Sequence, residues 1–174
     1  MRVLGIDPGS ETLGWGVVKK DGNIYRLIQY GTVKSSPREP FAKRLLKISD
    51  GIEDVIARFQ PQVLSIEEAF YAVNVKVALK LGQVRGVALL LAEKHRLDIH
   101  EYAPRLIKQT VVGYGNAEKH QVGEMVRILL KLPQIPEPHD AADALAAAIC
   151  HFHHAGSAQR ILAAQAKIKI KIAH

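Results

Sequence analysis

"RVLGIDPGSETLGWGVV", residues 2–18, carries two strand-forming runs joined by a turn, and one residue that fits neither. Val3, Leu4 and Ile6 favour a buried strand, and Leu13, Trp15, Val17 and Val18 resume one after the Pro8–Gly9 turn. Asp7 stands where the first run stops. An ionised carboxylate is almost never buried unless it is paired or binds a metal. Asp7 therefore either accepts hydrogen bonds from its own turn or belongs to a charged site completed by residues elsewhere.

Outward from this stretch the chain alternates between two periodicities. "KDGN", 20–23, is a hairpin turn between strands at 13–19 and 23–33. Phe41, Leu45, Ile48, Ile52, Val55 and Phe59 recur at steps of three and four, which predicts an amphipathic helix that Pro61 ends. "VLSIE", 63–67, is a short apolar strand that again runs into acid, and "LDIHEY", 97–102, is a fifth. Between them, residues 75–95 predict a long helix whose apolar residues exceed one stripe, so that it needs a second surface to cover it. Gly82 and Gly86 share one side of it and permit close backbone approach. Pro104 starts a short helix ending near Gly113. Asn116 is expected to cap the next, through about Lys131, with Glu118 in its first turn. "LPQIPEP" is a rigid loop, and "HDAADALAAAICHFHH", 139–154, is a last helix. The order predicts an α/β fold around a mixed five-stranded sheet flanked by helices.

The 174 residues carry a net charge of +7, of which residues 157–174 contribute +4 and the rest of the chain +3. Charge alone is a weak argument for a polyanionic partner. We expect one domain over 1–155 and a basic, flexible tail over 156–174. Cys150 is the single cysteine, which excludes a disulfide framework and a thiolate zinc site and leaves it a packing role. Nothing reads as a leader or as the roughly 20 apolar residues of a membrane span, so a soluble, cytoplasmic protein is expected. His151, His153 and His154 lack a metal-ligand pattern and are expected at the surface or helix end.

Four acids share a placement. Asp7 and Glu67 end strands, and functional residues of parallel α/β sheets gather at carboxyl ends. Asp140 and Asp143, three apart, face one side of the first turn of the last helix. Each has an ordinary reading: a turn acceptor for Asp7, solvation beside Glu68 for Glu67, and dipole complementation for the helix pair. Together, without cations, converging carboxylates repel and hold one another's protons. A hard divalent cation removes that penalty, and two of them about 3.5–4 Å apart can cleave a phosphodiester.

"GIDPGS", "IEEAF", "ALKLGQVRGVA", "KQTVVGYGNAEKHQV", "LLKLP" and "DAADALA" occur in order and closely resemble the bacterial RuvC Holliday-junction resolvases over about residues 1–153. "GID.G" alone would also fit actin-like ATPases. The resemblance implies a ribonuclease-H-like fold and a homodimer, with the helix at 75–95 as its contact. It further implies an endonuclease of homologous recombination and DNA repair that nicks four-way DNA junctions symmetrically. Asp7, Glu67, Asp140 and Asp143 match the family's catalytic and metal-binding acids, with two Mg²⁺ per site and Mn²⁺ able to substitute. Phe70, with Tyr71 beside it, matches an aromatic that stacks on junction bases, core packing being the alternative. Lys108 and Lys119 match basic residues near the reacting phosphate, and Lys76, Lys80 and Arg85 are candidates for the DNA arms. His139 is adjacent to the acids as a loop histidine, with proton shuttling the alternative. A RuvA/RuvB-type branch-migration complex is the implied partner.

Overall fold

The computed structural model describes residues 1–68 and 74–172, with side chains through Gly156. Phe70 and Tyr71 lie outside the described residues. Five strands form one sheet: β1 (Arg2–Asp7), β2 (Thr12–Asp21), β3 (Ile24–Lys34), β4 (Val63–Glu67) and β5 (Asp98–Tyr102), in the order β3-β2-β1-β4-β5. The two hairpins make β1–β2 and β2–β3 antiparallel, whereas β4 and β5 run parallel to β1. The sheet is thus mixed, as the order of elements predicts.

Helices α1 (Phe41–Phe59) and α2 (Val75–Lys94) cover one face. Their Ile48, Ile52, Val84 and Ala88 pack with Leu4, Ile6, Leu64 and Ile66 of the strands. Helices α3 (Pro104–Val112), α4 (Lys119–Leu130) and α5 (His139–Ile172) cover the other, where Leu145, Ile149 and Val126 meet Val3, Val18 and Val63. Alternation along each strand sorts its residues between these two cores.

The central packing event is α5 on β1 and β2. A Cβ built on Gly5 would overlap the Ala144 carbonyl oxygen, and one on Gly14 would overlap that of Asp140. Glycine at these positions lets the helix lie directly against the strands. Ser65 of β4 fastens it, its hydroxyl donating to the Ala147 carbonyl at 2.7 Å. The glycines of the opening stretch thus seat a helix that is remote in sequence.

Three expectations change. Helix α4 begins not at an Asn116 cap but at Glu118, whose backbone N–H donates to the Gln121 side chain at 2.8 Å, half of a capping box. Asn116 lies in the preceding turn. Helix α5, read as ending near His154, continues to Ile172 with no break in secondary structure at residue 155. His151 is not a surface residue: it is buried, with Nδ1 3.0 Å from the Tyr102 hydroxyl, and burial holds it neutral with a pKa lowered to about 4. Cys150 is buried, as a packing residue should be.

Candidate active site

The carboxyl ends of β1 and β4, neighbours in the sheet, present Asp7 and Glu67 side by side. Asp7 lies opposite Gly14 in the β1–β2 ladder, and Gly14 is where the backbone of Asp140 comes into contact. The close seating of α5 therefore carries Asp140 and Asp143 to the end of β1. Asp7, Glu67 and Asp143 line one cavity of about 210 Å³ with Lys108 of α3 and Lys119, the first residue of α4. Pro104, Ile107 and Val122 form its apolar wall.

The electrostatics of this cavity are those of a site short of positive charge. Burial, and then the negative charges of Asp143, Glu67 and Asp140, push the Asp7 carboxyl up to about 7. Burial and Asp143 raise Glu67, against Lys119 and Lys108. Burial also raises Asp143, opposed chiefly by Lys119, whose Nζ lies 3.5 Å from Asp143 Oδ2. Lys119 in turn is raised, mainly by Asp143. Lys119 opposes the rise at all three carboxylates and Lys108 at Glu67, but neither outweighs burial.

As a donor set the site is oxygen-only, suited to a hard cation. Among the described residues no group of three or more His, Cys, Asp or Glu side chains is placed to hold a metal ion by itself. A hard cation held by so few carboxylates would complete its shell with waters and substrate oxygens.

The remaining candidates separate. Lys108 and Lys119 are at the cavity. Lys76 and Lys80 are exposed on α2, Lys80 lying 5.7 Å from the centre of the Phe41 ring. Arg85, the third candidate for the DNA arms, has partners within the chain: Nε donates to the Glu67 carbonyl at 3.3 Å, and the guanidinium pairs with the Glu101 carboxylate. His139 is the exposed first residue of α5, not a loop residue.

One residue at the site was not anticipated. Arg44 of α1 is only 3% exposed; it donates to the Ser10 carbonyl and, at 3.2 Å, to the Ser35 hydroxyl, which itself donates to Ser10 at 2.9 Å. It thereby pins the turn that follows Asp7. Its signal in the sequence was its place on the buried stripe, four residues before Ile48 and eight before Ile52.

A family model described as "Crossover junction endodeoxyribonuclease RuvC" matches residues 3–151. A protein of that description from Koribacter versatilis is 51% identical over 162 residues, covering 92% of this chain and 98% of the relative. One from Chloroflexus aggregans is 48% identical over 160 residues, with the same coverage of 92% and 98%. A solved structure, Thermus thermophilus RuvC in complex with Holliday junction substrate, superposes with a TM-score of 0.84 at 38% identity, covering 89% of this chain and 94% of that one.

Proposed function

The chain belongs to the crossover junction endodeoxyribonuclease RuvC family, and from that premise we propose that it resolves four-way DNA junctions in recombination and repair by hydrolysing one phosphodiester in each of two opposed strands. The observation that carries this is one open cavity that gathers Asp7, Glu67 and Asp143 with Lys108 and Lys119, where burial and the charges of Asp143, Glu67 and Asp140 push the Asp7 carboxyl up to about 7. Asp7, Glu67, Asp140 and Asp143 would hold Mg²⁺, two ions per site, with Mn²⁺ as a substitute. Bound there, the metal supplies an activated water and charge stabilisation for the leaving oxygen.

The chain's own residues do the rest. Asp7 must give up its proton before it can bind a cation. Lys119, whose Nζ lies 3.5 Å from Asp143 Oδ2, would offset that carboxylate and offer a cation to a phosphate oxygen. Lys108, beside Glu67, offers a second cation to the DNA backbone. Phe70 and Tyr71 remain candidates for base stacking, Lys76 and Lys80 for the arms.

Two sites on one junction require two chains. Helix α2 supports a homodimer: Val75, Leu79 and Leu90 are exposed on the stripe that also holds Gly82 and Gly86, and a Cβ on either glycine would meet nothing within 4 Å. The face is apolar, open and smooth enough for a second helix to approach. A RuvA/RuvB-type motor is the partner proposed to present the junction. Among the described residues no helix is long and apolar enough to cross a membrane, and we place the protein in the cytoplasm with its DNA.

The test is a labelled four-way junction and a matching linear duplex, each with Mg²⁺ or with chelator. Paired nicks near the crossover, absent with chelator and reduced at least ~10²–10³-fold in Asp7→Asn, are expected. Equal cutting of the duplex, or tight binding without nicks, would sink the reading.

A further inference from the structure

Arg85 is poorly placed to serve DNA. Its side chain is 16% exposed, and its two partners lie at the ends of two different strands. Glu67 sits one residue past the last β1–β4 pair, Ile6 opposite Ile66. On its other side it lies opposite Tyr102, and the next residue, Glu68, donates its N–H to the Tyr102 carbonyl at 2.9 Å. The end of β4 thus leans on β5 and has run out of β1. Arg85 reaches this point from behind: Nε takes the Glu67 carbonyl, and the other arm of the guanidinium takes Glu101, which stands opposite Ile66.

We propose that Arg85 is a positioning residue for cleavage, fixing the end of β4 and through it the Glu67 carboxylate from helix α2, without contacting DNA. This rests on the nuclease reading above. The cations that share the cavity with the Glu67 carboxylate are Lys108 and Lys119, so Arg85 acts through the backbone. A guanidinium holds two acceptors in a fixed fork, and a lysine ammonium does not. At 100° per residue, Arg85 falls between the buried Val84–Ala88–Ala92 side of α2 and its open Leu79–Gly82–Gly86–Leu90 side. Whatever docks on the open side therefore presses on the helix that holds Glu67.

Three variants of the full chain, Arg85→Lys, Arg85→Gln and Glu101→Gln, are compared with wild type. Junction affinity is measured without divalent metal, kcat at saturating junction and Mg²⁺, and Mn²⁺ binding to the DNA-free protein by electron paramagnetic resonance. Both Arg85 variants should lose about 10–10²-fold in kcat, the scale of a small misplacement of a reacting group. They should also bind Mn²⁺ more weakly, with junction affinity changed by less than about threefold. Arg85→Lys should fail to rescue, because the fork rather than the charge is needed. A loss of junction affinity of about tenfold or more, restored by lysine, would make Arg85 a phosphate contact and overturn the proposal. So would an unchanged kcat. Should Arg85→Gln not fold, as judged by circular dichroism, Glu101→Gln decides: it removes only the anchor and must lower kcat with affinity intact. A wild type that never nicks junctions would sink the nuclease reading; a nicking wild type beside unimpaired variants would sink only the role of Arg85.

Discussion

Between pH 4 and 7 the folded, metal-free chain keeps a proton on Asp7 that the unfolded chain has released, because the ordinary value of 3.8 is raised to about 7. Stability from this group is complete below about 4 and is lost as pH rises through 7. At 1.36 kcal/mol per pK unit the penalty above pH 7 reaches about 4 kcal/mol. Asp7→Asn should therefore raise the Tm of metal-free protein at pH 8, at roughly 2–4 °C per kcal/mol for this length, and leave it nearly unchanged at pH 4.5. Equal shifts at both pH values would contradict the burial of the charge. The four acids were legible because each stands at an element boundary, where a strand or first helical turn leaves a side chain little choice of direction. Arg44 and Arg85 were not. An arginine on an amphipathic helix has the same spelling whether its head reaches solvent or curls onto a backbone carbonyl, and only the neighbouring strand ends decide which.

At the scale of elements, α5 on β1 and β2 makes one contact serve both fold and site. Gly14→Ala would set a methyl against the Asp140 carbonyl, and overpacking of this kind costs about 1–3 kcal/mol. The helix can yield only by lifting Asp140 and Asp143 from Asp7. We expect a fall in kcat larger than the loss of Tm would suggest, with junction binding retained. Alanine there with full activity would refute the tight seating. The strands were legible from hairpin turns and apolar runs, α1 from its period, and α2 from the length of its apolar run. The start of α4 was misread because Asn116 is a favoured cap type and Glu118 is not; Gln121, three residues after Glu118, accepts from the Glu118 N–H and fixes the start there. The second core of α5 and the depth of His151 depend on Tyr102, 49 positions away in the chain, and local pattern does not encode that pairing.

For the whole molecule, the open face of α2 is the contact we propose between two copies of the chain. Leu79 is 64% and Leu90 69% exposed, so replacing both with glutamate removes little from the chain's own core. Leu79→Glu/Leu90→Glu should leave the Tm of a dilute sample within a few degrees and convert a dimer to a monomer by sedimentation. It should also turn paired nicks into single, uncoordinated ones. A dimer that survives the double substitution would place the contact elsewhere. The seam between α5 and the sheet has a further consequence in time. No side chain separates the Gly5 and Gly14 backbones from the helix, so the helix has no room to slide or rattle there. Asp7 and the two carboxylates of α5 therefore part when strand and helix come open together, as one cooperative unit. Thermal motion then leaves the site either fully assembled or briefly absent, and slow drift between the two is not available to it.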